Sequence, residues 1–451
     1  MLFLATYVRA GTLVAVLTLA VVANEKVNLP KTPVGLCAEA YFRTVAVNTT
    51  EAWTDFENTH RAKVGAGRRS LEDRIRQHME VVRQSGKATP KMILDDSELE
   101  LTVLVETTND HQAFEITFIM QPEGGLDGIA IKGPIDPAES AKGNRSLDAA
   151  TKQSVVEAIR DQLKTNYVFP DVADKMCAAL DKNLSSGTYD SIDKARPLAR
   201  RLTDDLRAIC HDKHLRVLAG SPNHGAPTRT SVRGIDQANK NFGFGKVEIL
   251  PGNIAYIKLN SFDPTPMAME VAGGALAFSA YSSAVIFDIR DNGGGSPEMI
   301  KFISSYFFKK KTHLNSFYNR PNDSTTETWT DEKISGRRFD KDVPVYVLTS
   351  GHTFSAAEEF TYNLKNLKRA TIVGETTGGG AHPVNFVELA GGFGMSVPYA
   401  RAINPITKTN WEGTGVTPDI AVPAEKALDT AIADAKKKIA EQLAAESDDD
   451  E

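Results

Sequence analysis

Read for the spacing of its apolar positions, the chain passes through three regimes. Val34 to Val45 and Ser70 to Gln84 carry apolar residues at helical intervals, whereas Glu98–Thr107, Gln112–Met120 and Leu126–Lys132 alternate as antiparallel strands do. Helices followed by a meander predict an α+β unit over residues 30–133. Gly133 to Asn144, with Pro134 and Pro137, predicts a boundary. Beyond it come three helical stripes: Val156, Ile159, Leu163 and Tyr167; then Val172, Met176 and Leu180; then Leu198, Leu202, Leu206 and Ile209. They predict a small helical unit over 146–220 that ends in a strand, Leu215–Leu218. The third regime, 230–426, alternates short apolar runs at Ile254–Leu259, Ala284–Ile289, Val345–Leu348 and Thr371–Val373 with helices at Pro266–Phe278, Pro297–Phe308 and Ala356–Leu367. That order predicts an α/β core with parallel strands. An antiparallel pair (Phe386–Leu389 with Met395–Tyr399) and a hairpin at Asn404–Asn410 are expected after it. Residues 427–451 are expected to form a helix over Ala427–Ala444 and a disordered, solvating acidic tail, Glu446–Glu451.

Composition changes this picture little. With 451 residues, a net charge of −6 and dispersed basic side chains, the chain gives no footprint for a nucleic-acid partner. Residues 1–23 matter more: Arg9 precedes the apolar run Leu13–Ala23, which ends in small residues before Asn24. This is a signal-peptide pattern, too short for a clean membrane span, and it predicts a secreted or periplasmic protein cleaved near Asn24, with an uncleaved anchor as the alternative. No other segment is expected to insert stably in a membrane. Cys37, Cys177 and Cys210 are too few for a disulfide framework. Sequons at Asn48, Asn144, Asn183 and Asn322 matter only in a eukaryotic secretory route.

The densest chemistry lies between Val343 and Pro383. Ser355 falls where the strand Val345–Leu348 hands over to the helix that begins at Ala356. The unpaired N–H groups of a helix start favour negative charge, as an attacking serine requires. By itself this position suits a plain N-cap equally well. His211 and His214 in HDKH have the spacing of a metal pair but no third ligand motif, so no metal site is expected. His352 and His382 flank the serine segment.

Three separated motifs, TFSAAEEF, DIRDNGGG upstream and NWEGTGVTPDI downstream, resemble the S41 peptidase family in content and order, over roughly Leu147–Lys426. That family includes tail-specific proteases, the tricorn protease core and the repeats of interphotoreceptor retinoid-binding protein. The resemblance implies a crotonase-like (ClpP-like) ββα superhelix core with a small helical N-terminal domain. The preceding α+β unit is similar in order and size to a cystatin-like cone. Tail-specific members draw their base from a lysine in the glycine-rich loop, where this chain has Gly380, and carry a PDZ-like domain for which Ser221–Val247 is too short. The tricorn-like branch uses a histidine and a glutamate, matched here by His214 and Glu412, with Ser355 as nucleophile. Tricorn has a serine before its histidine; here that residue is Lys213, expected to point to solvent. The oxyanion donors implied are the N–H groups of Ala356 and of one glycine in Gly293–Gly295, with Gly294 favoured; His382 is a reserve base. The expectation is a serine peptidase acting on peptides or unfolded segments, with no cofactor and with homo-oligomerisation left open. The alternative is a binding protein for apolar, retinoid- or lipid-like ligands on the same scaffold.

Overall fold

The computed structural model describes residues 27–62, 71–109, 111–220, 237–238 and 240–449. The expected signal peptide and cleavage point, residues 221–236 and the last two residues are among those that lie outside them. The first unit packs α1 (Pro33–Val47), α2 (Thr50–His60) and α3 (Leu71–Ser85) on a four-stranded antiparallel sheet, β1 (Ala88–Asp96), β2 (Glu100–Thr107), β3 (Ala113–Met120) and β4 (Leu126–Ile135), ordered β1-β2-β3-β4. Helix α2 and strand β1 escape the sequence pattern because both are polar; β1 has a single buried residue, Leu94. The expected boundary is partly structured as well. Asp136 caps the short helix α4 (Pro137–Lys142), and Ser140 donates to the buried Glu115, which also receives Arg196 from the next unit.

Helices α5 (Ala149–Asn166), α6 (Pro170–Ser185) and α7 (Ala195–Cys210) bury the three predicted stripes in one cluster. Strand β5 (Arg216–Leu218) leads out of them. The main sheet contains β6 (Phe244–Leu250), β7 (Ile254–Leu259), β8 (Ala284–Asp288), β11 (Val345–Thr349), β12 (Thr371–Gly374) and β16 (Ile420–Ala421), in the order β16-β12-β11-β8-β7-β6. From β7 to β16 the pairing is parallel, and β6 closes one edge antiparallel. Every residue of β8 is buried, as a central parallel strand covered on both faces must be. One face carries α8 (Pro266–Phe278), α9 (Pro297–Ser304) and α10 (Ala356–Asn366); the other carries α11 (Ala427–Asp449) through Ala427, Ala431 and Ala435. The last helix thus continues beyond Ala444 into the acidic stretch expected to be disordered.

Two small sheets complete the molecule. The hairpin β9 (His313–Asn319) and β10 (Ser324–Trp329) pairs through β9 with β15 (Ala400–Ile403); β13 (Val384–Leu389) pairs antiparallel with β14 (Phe393–Pro398), which also takes β5. The expected hairpin at Asn404–Asn410 is instead a turn, closed by the Asn404 N–H to the Thr409 carbonyl, because the preceding strand finds its partner in β9. The β5–β14 pairing brings the end of the helical unit beside the loop that follows β12. No helix among the described residues is long and apolar enough to cross a membrane.

Candidate active site

The helix α10 fixes its own first residue through buried Ala357, Phe360 and Leu364. Just before it, Ser355 has φ 55° and ψ −121°, a conformation that costs a non-glycine residue about 1–3 kcal/mol and persists only where the surroundings hold it. The holder is Glu358, fully buried, whose carboxylate accepts the Ser355 N–H at 2.8 Å. The same carboxylate accepts the Thr377 hydroxyl and the N–H groups of Gly379 and Gly380, so it ties the Ser355 backbone to the glycine-rich loop. Burial raises the Glu358 carboxyl above its ordinary range, and the hydrogen bonds from Thr377, Gly380, Gly379 and Ser355 offset part of that rise.

Gly294 lies directly against this turn. With φ 116°, its missing side chain would sit 2.8 Å from Ser355 Cβ and 3.1 Å from the Ala356 nitrogen. Only glycine permits so close an approach. Its N–H, however, donates to Asn292 Oδ1 at 2.8 Å, whereas the N–H groups of Gly293, Gly295 and Ala356 have no acceptor among the described residues. Gly294 therefore acts in this structure as the close-packed glycine, with its donor already engaged.

His214 stands in the turn between α7 and β5. Its ring packs against Phe354, the neighbour of the serine, at 4.7 Å between centroids. A Cβ at Gly380 would lie 2.6 Å from His214 Cε1 and closer still to Phe354 Cζ, so these two rings together fill the space into which a side chain at 380 would project. Burial holds the His214 pKa below its usual value; Asp212 opposes this, while His382 and Arg207 add to it. The ring is thus kept neutral, the form able to accept a proton. No hydrogen bond joins His214 to Ser355 or to Glu412, and His214 Nδ1 and Glu412 Oε1 are both buried without a partner among the described residues.

Glu412 is placed beside a different histidine. Its Oε2 accepts the Ala381 N–H and lies 3.5 Å from His382 Nδ1, which in turn meets Asp212 Oδ2 at 2.6 Å. Burial, and next the charge of Asp212, push the Glu412 carboxyl up to about 7, against the pull of His382 and the Ala381 N–H. Donor atoms of Asp212, His382 and Glu412 fall within 4.8 Å of one another, a spacing that would admit a cation. The short contact between His382 and Asp212 already pairs two of the three, so the group stands as a hydrogen-bonded cluster. Lys213, expected to point outward, is exposed but donates to the Gly378 carbonyl at 2.6 Å, another tie onto the glycine-rich loop. His211 caps the end of α7 in a left-handed conformation, away from this cluster of contacts. Sequence reasoning passed over Glu358 and Asp212. The first was readable, since Ser355 and Glu358 have the S-x-x-E spacing of a capping box; the second had no pattern to betray it.

Comparison with known proteins adds a second line of evidence. The family model "Peptidase family S41" matches residues 253–422, and "N-terminal domain of Peptidase_S41 in eukaryotic IRBP" matches 146–239. The chain is 31% identical over 181 residues to carboxyl-terminal-processing peptidase 2, chloroplastic, of Arabidopsis thaliana, covering 39% of this chain and 34% of that protein. It is 27% identical over 177 residues to the chloroplastic C-terminal processing peptidase of Tetradesmus obliquus, covering 38% of this chain and 36% of the relative. The chain therefore spans about a third of the length of the curated relatives it matches. Among solved structures, a protein from Parabacteroides merdae described as a peptidase is 21% identical, with a TM-score of 0.47 over 63% of this chain and 96% of that one.

Proposed function

We propose, for a chain that belongs to peptidase family S41, that it hydrolyses peptide bonds with Ser355 as nucleophile and His214 as general base in place of a lysine. The observation that carries this reading is the packing of His214 and Phe354 over Gly380. A side chain at 380, where the tail-specific branch has its lysine, would need the space that the His214 imidazole and the Phe354 ring fill here. Three further features support it. Ser355 is held in a strained turn at a helix start, the Ala356 N–H lacks an acceptor, and the His214 ring is held neutral. Donation to an oxyanion falls to Ala356 and to a glycine of the Gly293–Gly295 run; Gly293, exposed and without an acceptor, suits that role in this conformation better than Gly294. Glu412 supplies the acidic member, its unpartnered Oε1 complementing the unpartnered Nδ1 of His214. The substrates are peptides or unfolded segments, reached on an exported protein. A second reading, an apolar-ligand binding protein, is favoured by the match of residues 146–239 to the model named for eukaryotic IRBP.

Ser355→Ala decides between them. Peptidase activity and fluorophosphonate labelling are expected to fall at least about 1,000-fold while stability changes by no more than about 2 kcal/mol, the range for truncating a helix-start serine. A wild-type protein that neither labels nor cleaves would favour the binding reading, and an active Ser355→Ala would end the nucleophile assignment.

A further inference from the structure

The glycine-rich loop is held from several sides, and one of these ties runs to the base itself. Asp212, with no measurable exposure, has both carboxylate oxygens occupied: Oδ1 accepts the backbone N–H of His214 at 2.9 Å, and Oδ2 meets His382 Nδ1 at 2.6 Å. His382 is itself 3% exposed and has the ring of Phe169 edge-on at 5.4 Å. It follows Gly380, whose missing side chain would meet Phe354 and His214, by two residues on the same loop. One carboxylate therefore grips the base at its backbone and the loop at its imidazole. We propose that Asp212 and His382 are a positioning pair, which sets where His214 stands against the Ser355 turn without touching the substrate. This rests on the Ser355–His214 reading above.

The pair also sets the charge around the base. Against His214 stand Asp212, whose charge favours the imidazolium, and His382 and Arg207, which oppose it. Tyr167, Cys210, Glu358 and Glu412 complete the ionisable groups around Asp212 and its neighbours. Tyr167 and Cys210 have their own ionisations raised first by burial, and so stay neutral at the working pH. An uncharged residue at 212 thus leaves His214 harder to protonate, because the main opposing influence is gone.

The test is steady-state kinetics on the whole protein across pH. Wild-type kcat/KM is expected to rise with pH in two steps, one with a His214 midpoint below the ordinary histidine value of about 6.5 and a second as Glu412 ionises near neutrality. Asp212→Asn is expected to lower kcat/KM about 10- to 100-fold, through kcat with KM little changed, and to move the His214 midpoint lower still. His382→Ala is expected to lose a similar factor. His382→Asn, which returns an N–H donor near the position of Nδ1, is expected to recover most of it. A role in stability alone would leave the midpoint in place and give no such recovery. Asp212→Asn and His382→Ala that both keep wild-type kcat/KM and midpoint, alongside an inactive Ser355→Ala, would overturn the pairing. An active Ser355→Ala would instead remove the reading beneath it.

Discussion

Two desolvated carboxylates, one fully buried in the first unit and one part-buried beside the glycine-rich loop, receive opposite treatment. Glu57 on α2 is inaccessible, yet it meets Arg61 at 2.9 Å, Arg74 at 2.7 Å and His78 at 3.0 Å. Burial works against its charge, but hydrogen bonds from His78, Arg61 and Arg74 together hold it well below the usual carboxylate range. Glu412, about one-sixth exposed, has one backbone N–H and a histidine at 3.5 Å, and its acidic neighbour Asp212 adds repulsion. Desolvation taxes both; the number of cationic donors decides the outcome. Glu57 keeps a constant charge across the physiological range and serves packing, with His78 stacked on Trp53 beside it. Glu412 changes its charge near neutrality, which a group engaged in proton transfer can use.

That contrast can be broken or sharpened by substitution. The largest effect is expected at the compensated site. Glu57→Gln leaves two guanidinium groups facing a neutral amide, and a urea titration is expected to show a loss of about 3–5 kcal/mol, with activity per folded molecule unchanged. A stable Glu57→Gln would mean the network is not structural. A smaller effect of opposite sign is expected at Glu359, buried on α10, where desolvation raises the carboxyl to about 7 despite hydrogen bonds from Asn315 and Asn363. Because its folded pKa lies above the unfolded one, the folded state is penalised fully above about pH 7 and not at all below about pH 4.5. Glu359→Gln is thus expected to raise the thermal midpoint at about pH 8, by roughly 2 kcal/mol of stability, and to leave it unmoved at acid pH. Equal gains at both pH values would point to packing instead. The smallest effect is expected at Glu412, where glutamine copies the protonated form. Below about pH 6 Glu412→Gln should turn over nearly as wild type does, and above about pH 8 it should lose about 10-fold in kcat/KM. A loss independent of pH would assign Glu412 to loop support through the Ala381 N–H.

Most of the core could be read from the chain because periodicity survives wherever one face is buried. The stripes of α5, α6 and α7 and the buried runs of β7, β8, β11 and β12 fall within a residue or two of their expected places. Strands β1 and β10 were missed because their largely exposed sequences carry no such signal, and α2 because its buried face, Trp53, Phe56 and Glu57, is too short and too mixed to repeat; β6, with Phe244, Val247 and Ile249, was missed despite its apolar residues. The same division runs through the site. The Ser355 turn announces itself by a strand, a helix start and a glutamate three residues on, all local in sequence. Which carboxylate meets which histidine depends on β5 pairing with β14, a long-range event on which no short motif reports. The Asp212–His382 contact lies on the far side of that pairing.

The same pairing has a consequence for the time at which activity can arise during synthesis. The histidine turn is made early, the serine turn much later, and Glu412 after both; β14, which anchors the strand following His214, lies between the last two. A chain still on the ribosome with only the helical unit and the first parallel strands outside holds a histidine with no loop to press against it. On the proposed Ser355–His214 assignment, hydrolytic competence would be reached in one late step, when the residues around 380–412 have emerged.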